Sequence, residues 1–141
     1  MRAKDYMRSV YQAEQELRLI QRKRQHYIEL ATSLSVNLEA LPGGNLTSSR
    51  TETAAIGLAD LAEQLSVKAK KYSALVTEAQ SMVDEIPQLK FRKLLTLKYL
   101  VGMSWKSVSD ELDYDDEKSV YRAHKYALQE LQKRIDYHGL T

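Results

Sequence analysis

Apolar positions in the first 41 residues recur in steps of three and four: Val10, Ala13, Leu17, Ile20, Tyr27, Ala31, Leu34, Leu38 and Leu41, with Arg24 as the one basic interruption. This alternation is a heptad seam and predicts one long amphipathic helix. A second series has the same spacing and again one cation: Ala54, Leu58, Leu61, Leu65, Lys68, Tyr72, Leu75, Ala79, Met82 and Ile86. Between them, "LPGGNLTSS" at 41–49 supplies Pro42, Gly43 and Gly44 as breakers and Ser48 or Ser49 as candidate N-caps. The pattern predicts an antiparallel hairpin with arms about 55 Å long at 1.5 Å per residue.

Folding the chain at that loop sets Leu34 opposite Leu58, Ala31 opposite Leu61, Ile20 opposite Tyr72, Leu17 opposite Leu75 and Val10 opposite Met82. The same register places Arg24 across from Lys68, two cations that must snorkel outward or find an acid such as Glu63 or Glu29. A further row on the second helix, Ala55, Ala62, Ala69, Val76 and Val83, widens its apolar stripe beyond what one partner helix covers. A second copy of the hairpin, or the C-terminal part folding back, is expected to cover it. A homodimer is the expectation preferred here.

Pro87 closes the second helix, and three shorter helical phrases follow. Residues 88–101 place Leu94, Leu95 and Phe91, with either Leu97 or Lys98–Tyr99, on helical faces before Gly102, a candidate C-terminal stop. Ser104 is the N-cap candidate for 105–112, with Trp105, Val108 and Leu112 facing inward. A last helix over about 117–136 turns Val120, Ala123, His124, Ala127, Leu128, Leu131 and Ile135 to the core. A short helix, a turn and a longer helix with a basic outer face has the form of a helix-turn-helix. The expected fold is therefore all-α: a long antiparallel coiled-coil hairpin over 1–86, then a three-helix domain of helix-turn-helix form over 87–141.

Composition changes this picture little, at 43% hydrophobic and 28% charged residues. Cysteine is absent, which excludes disulfide scaffolds, thiolate zinc sites and cysteine nucleophiles. No apolar run approaches the roughly 20 residues of a membrane span, and the start has no signal-peptide core, so a cytoplasmic location is expected. Residues 1–87 carry 11 basic and 11 acidic residues, and 88–141 carry 10 and 8, so the net charge of +2 lies wholly in the C-terminal part. His26, His124 and His138 are far apart, and no metal-ligand spacing, phosphate-cradling loop or nucleophile motif is present. No enzymatic activity and no cofactor are expected.

The stretch "FRKLLTLKYLVGMSWKSVSDELDYDDEKSVYRAHKYALQEL" resembles the promoter-reading C-terminal helix-turn-helix of bacterial sigma factors. It is still more similar to the ArpU/RinA-type phage transcriptional regulators. The resemblance covers about residues 85–133. It rests on Arg92, Leu95, Tyr99 and Leu100, then Gly102-Met103-Ser104-Trp105, Val108, Leu112, Tyr114, Ser119-Val120-Tyr121-Arg122, His124 and Ala127-Leu128. The chain departs from the pattern in four ways. Asp113 stands for the usual turn glycine, and Leu112 to Val120 spans eight positions rather than seven. Ser109 is the small residue of the first helix, and Lys106 and Ser107 replace acidic residues.

The resemblance implies binding to double-stranded DNA and control of phage late or packaging genes in a bacterial host. In such docking the early part of the second helix reads base edges. Lys118, Ser119, Tyr121, Arg122 and Lys125 point away from the core face, with Arg122 the first choice for a base contact. Lys106, Arg92 and Lys93 are expected to hold the backbone. The acidic run from Asp110 to Glu117 is read as helix capping plus a solvated turn; the other reading is a contact with RNA polymerase or a sigma factor. Two further functions remain open: a small-terminase-like packaging component, and a helical adaptor without DNA binding.

Overall fold

A computed structural model describes residues 1–40 and 45–140, with side chains for 1–36 and 50–140. Every element among the described residues is helical: α1 (Ala3–Ala40), α2 (Asn45–Asp84), α3 (Leu89–Leu95), which runs directly into a π-helical segment (Thr96–Val101), α4 (Trp105–Glu111) and α5 (Glu117–Tyr137). The protein is all-α, and its two long helices pack as a hairpin. α2 begins at Asn45, ahead of the caps expected at Ser48 and Ser49. Pro42, Gly43 and Gly44, and the side chains of Leu38 and Leu41, lie outside the described residues.

The chain forms two compact units, one of residues 1–15 with 73–141 and one of residues 16–72. In the unit of residues 16–72, Ile20, Ala55 and Ala62 are buried. Leu17, Tyr27, Ala31, Leu34, Leu58, Leu65, Ala69 and Tyr72 are half-buried. Ala54 and Lys68 are exposed, and Leu61 is 42% exposed. The inner seam of α2 is thus the 55/58/62/65/69/72 series, one residue round from the expected 54/58/61/65/68/72.

The physical reason is size and charge. The 55/62/69 row is alanine throughout and permits close helix approach, whereas the 54/61/68 row would press Leu61 and the charged Lys68 into the seam. Arg24 accordingly donates its Nε hydrogen to the Ser66 hydroxyl instead of facing Lys68. The row expected to seek a partner at Ala55 and Ala62 is already covered inside the hairpin.

The other unit has the main core. Tyr6, Met7 and Val10 of α1 and Ala79, Met82, Val83 and Ile86 at the end of α2 are buried with Leu94, Leu95, Tyr99, Leu100 and Val108. Val120, Ala127, Leu131 and Ile135 of α5 complete it. Here the wide stripe of α2 is covered by the C-terminal helices, so the core does not divide at Pro87. Polar contacts fasten the same pieces. The Ala3 amide donates to Gln132 Oε1 at 2.7 Å, and Gln132 Nε2 donates to the Met1 carbonyl at 3.0 Å. His138 Nε2 meets the Glu85 carboxylate at 2.9 Å.

Gly102 stops the π-helical turn with φ +85°, a left-handed conformation that glycine adopts without a Cβ clash. Its amide and that of Met103 both bond the Leu97 carbonyl. A Cβ here would also meet the Tyr11 ring at 3.3 Å. Gly102→Ala is expected to lower stability by about 1–2 kcal/mol, read from denaturant unfolding midpoints. The seam of α2 is tested by a pair. Ala62→Leu overpacks the interface and costs roughly 1–3 kcal/mol, whereas Leu61→Lys stays within about 0.5 kcal/mol of the parent. The reverse order, with Leu61→Lys the costly change, would reinstate the 54/61/68 register.

Candidate nucleic-acid interface

Two caps set the start of each helix in the candidate motif. Ser104 Oγ accepts from the Ser107 amide at 3.2 Å and opens α4. The Asp116 carboxylate accepts from the Ser119 amide at 2.8 Å and opens α5. That hydrogen bond, with one from the Ser119 side chain, holds Asp116 below the usual carboxylate range, and Arg122 is close enough to reinforce it. Asp113 adopts φ +58°, so it occupies the left-handed turn position where the related pattern has glycine. Aspartate tolerates that conformation better than most residues. The lengthened turn closes through the Tyr114 amide on the Ser109 carbonyl at 2.9 Å, over the buried Ser109 side chain.

These constraints orient α5. α5 packs on α3 and α4, and its inner residues Val120, Ala127, Leu131 and Ile135 have no exposed surface. Lys118, Tyr121, Arg122 and Lys125 fall at i, i+3, i+4 and i+7 and are all exposed, Tyr121 by 46%. Residues 118–129 contain no carboxylate, so no acid stands within this outward row. Ser119 is half-buried and engaged in the cap. Lys106 is exposed on α4.

Arg92 and Lys93 belong elsewhere. They line a recess of about 300 Å³ with Thr96, Leu97, Glu111 and Leu112. The Arg92 guanidinium donates to the Ile86 carbonyl at 2.6 Å and to that of Pro87 at 3.1 Å. It satisfies carbonyls left open just past the end of α2, a structural task the sequence pattern did not reveal.

Beneath the row lies an aromatic cluster. Trp105 meets Tyr121 edge-on with centroids 5.3 Å apart and meets His124 likewise at 4.6 Å. The Tyr99 hydroxyl and His124 Nε2 share a hydrogen bond of 2.6 Å. Lys98 Nζ sits 4.7 Å from the Trp105 ring centroid, a cation–π contact, and donates to the Met103 carbonyl at 3.3 Å. No protein-family model matches the chain, and no curated protein or solved structure matches it either. Among the described residues no cluster of three or more histidines, cysteines or acids could hold a metal ion. No described helix is long and apolar enough to cross a membrane.

Burial, with the charges of Lys4 and Lys98 nearby, lowers the pKa of His124 from 6.5 to about 4. The folded protein therefore keeps this ring neutral across a range in which the unfolded chain takes up a proton. Its contribution to stability is full above about pH 6.5 and is lost as the pH falls toward 4. Between pH 7 and pH 5 the parent should lose more thermal stability than His124→Gln, whose side chain does not titrate. Parallel melting curves at the two pH values check this.

Proposed function

We propose that this chain is a sequence-specific DNA-binding transcriptional regulator of a phage or prophage, acting on late or packaging genes in the cytoplasm of its bacterial host. One observation carries the reading: the acid-free row Lys118, Tyr121, Arg122 and Lys125 stands outward on a helix whose opposite face is locked in the core. A helix about 10–12 Å across with such a face suits the major groove of duplex DNA. Arg122 is the base-reading residue in this proposal, since its planar guanidinium can grip guanine O6 and N7 together. Lys118, Lys125 and Lys106 neutralise phosphates, and Tyr121 bonds one. Ser119, held by its own cap, contributes position more than contact. Arg92 is half-buried with its Nη1 on two carbonyls, whereas Lys93 is exposed, so Lys93 is the better backbone contact of that pair.

Self-association through the hairpin belongs to this reading, because Ile56 and Val67 are 57% and 62% exposed on α2, eleven residues apart and so on one face. The acidic turn acts as a cap and solvated connection, with Asp116 as the capping member. Binding of the full-length protein to duplex DNA should weaken steeply with salt. Arg122→Ala should relax sequence preference at one position at a cost of about 1–3 kcal/mol. Lys125→Ala should reduce the salt slope by about 1 for all sequences. Absence of duplex binding at low ionic strength would leave an adaptor role, and ring-sized assemblies in solution would favour a packaging component.

A further inference from the structure

A cleft of about 460 Å³ opens beside the aromatic cluster, lined by α1, the π-helical segment, α4 and α5. Three cations converge on it: Lys4 and Arg8 from the first turns of α1, and Lys98 from the π-helical segment. Tyr11, one turn beyond Arg8, continues the α1 row into the cleft. No carboxylate lines the space. Among the described residues, neither Lys4 nor Arg8 has an acidic partner in hydrogen-bonding range.

Their charges are close enough to be felt by the groups around the cleft. Arg8 acts on the Tyr99 phenol, and Lys4 and Lys98 act on His124. Gathering three cations with no anion costs electrostatic free energy in the unbound protein. An arriving anion recovers it, and the tyrosine hydroxyls at the rim add neutral donors.

We infer that this cleft binds a backbone phosphate of the same duplex that α5 reads, so that the N-terminal turns of α1 form part of the DNA interface. The inference rests on the DNA-binding reading above. The shared residue decides for a duplex over a free phosphate compound: Tyr121 lines the cleft and also stands in the outward row with Lys118, Arg122 and Lys125. A duplex lying along that row runs past the cleft's mouth. Lys98 reaches the cleft from its place over Trp105, the only tryptophan in the chain. Occupancy of the cleft is therefore reported by one indole.

The test uses the full chain with Lys4→Ala plus Arg8→Ala, two exposed positions outside the core. Duplex affinity should fall roughly tenfold whatever the sequence, and the salt slope should lessen by about 1, the share of a single phosphate. Sequence preference should stay as in the parent, and the response of Trp105 emission to duplex should shrink to the part that reaches the indole through Tyr121. Lys4→Arg plus Arg8→Lys should restore all three. Removing equal charge at exposed Lys70 and Lys71 should leave the slope unchanged.

If the parent binds duplex and the Lys4/Arg8 variant keeps the parental salt slope, the inference is overturned and the DNA-binding reading survives. If inorganic phosphate or a mononucleotide alone reproduces the Trp105 response while that slope is kept, the cleft serves a free ligand and the duplex assignment is overturned. If the parent binds no duplex at all, both fall together.

Discussion

The burial of one face of α5 is the constraint on which everything else depends. Val120, Ala127, Leu131 and Ile135 are sealed against α3, α4, the start of α1 and the end of α2. Burial of Val120, Leu131 and Ile135 contributes about 1.5–3 kcal/mol each relative to exposure, and the Ala127 methyl less. A rotation of α5 about its axis would forfeit several such contributions at once. The helix therefore has a single permitted azimuth, and the basic residues on its other side inherit it. The directed cationic row follows from the apolar core behind it.

The same core explains why the C-terminal helices do not stand alone. Three helices of about 7, 13 and 21 residues enclose little apolar volume, and small cores are marginal. Met7, Val10, Met82, Val83 and Ile86 extend that core from the two long helices. The bonds of Gln132 with the first residues of α1, and of His138 with Glu85, tie the chain ends to the same body. This sharing has a structural consequence: Lys4 and Arg8, remote in sequence from the C-terminal helices, come to line one cleft with Trp105 and Tyr121.

The acidic turn and the basic row show how neighbouring charges of opposite sign are assigned separate tasks. Asp116 is consumed by the cap of α5, and Asp113 by a left-handed turn that would otherwise need glycine. Both are local backbone duties, fulfilled at the amino end of the helix where negative charge is favoured by the helix dipole. From Lys118 onward the helix carries no acid until Glu130. The extra turn residue is absorbed by the Tyr114–Ser109 bond.

Local physics made much of this legible in advance. Heptad spacing, Gly102, Ser104 and the polar run before Val120 gave the helices of the C-terminal part to within a residue or two, since periodicity and capping act over a single turn. The outward residues of α5 followed from the same spacing. Two adjacent rows on α2 could each be read as the seam, however, because heptad spacing accepts a single cation such as Lys68; close helix approach and the cost of burying that cation, both tertiary properties, chose the alanines. The carbonyl-binding role of Arg92 had no sequence signal, because Ile86 and Pro87 come within its reach only after the chain has turned. Lys4, Arg8 and Tyr11 belonged to no pattern that sequence reasoning singled out, because nothing in a linear spacing says what that face of α1 meets. Contacts between residues a hundred positions apart are decided by the shared core, and that is where the cleft was made.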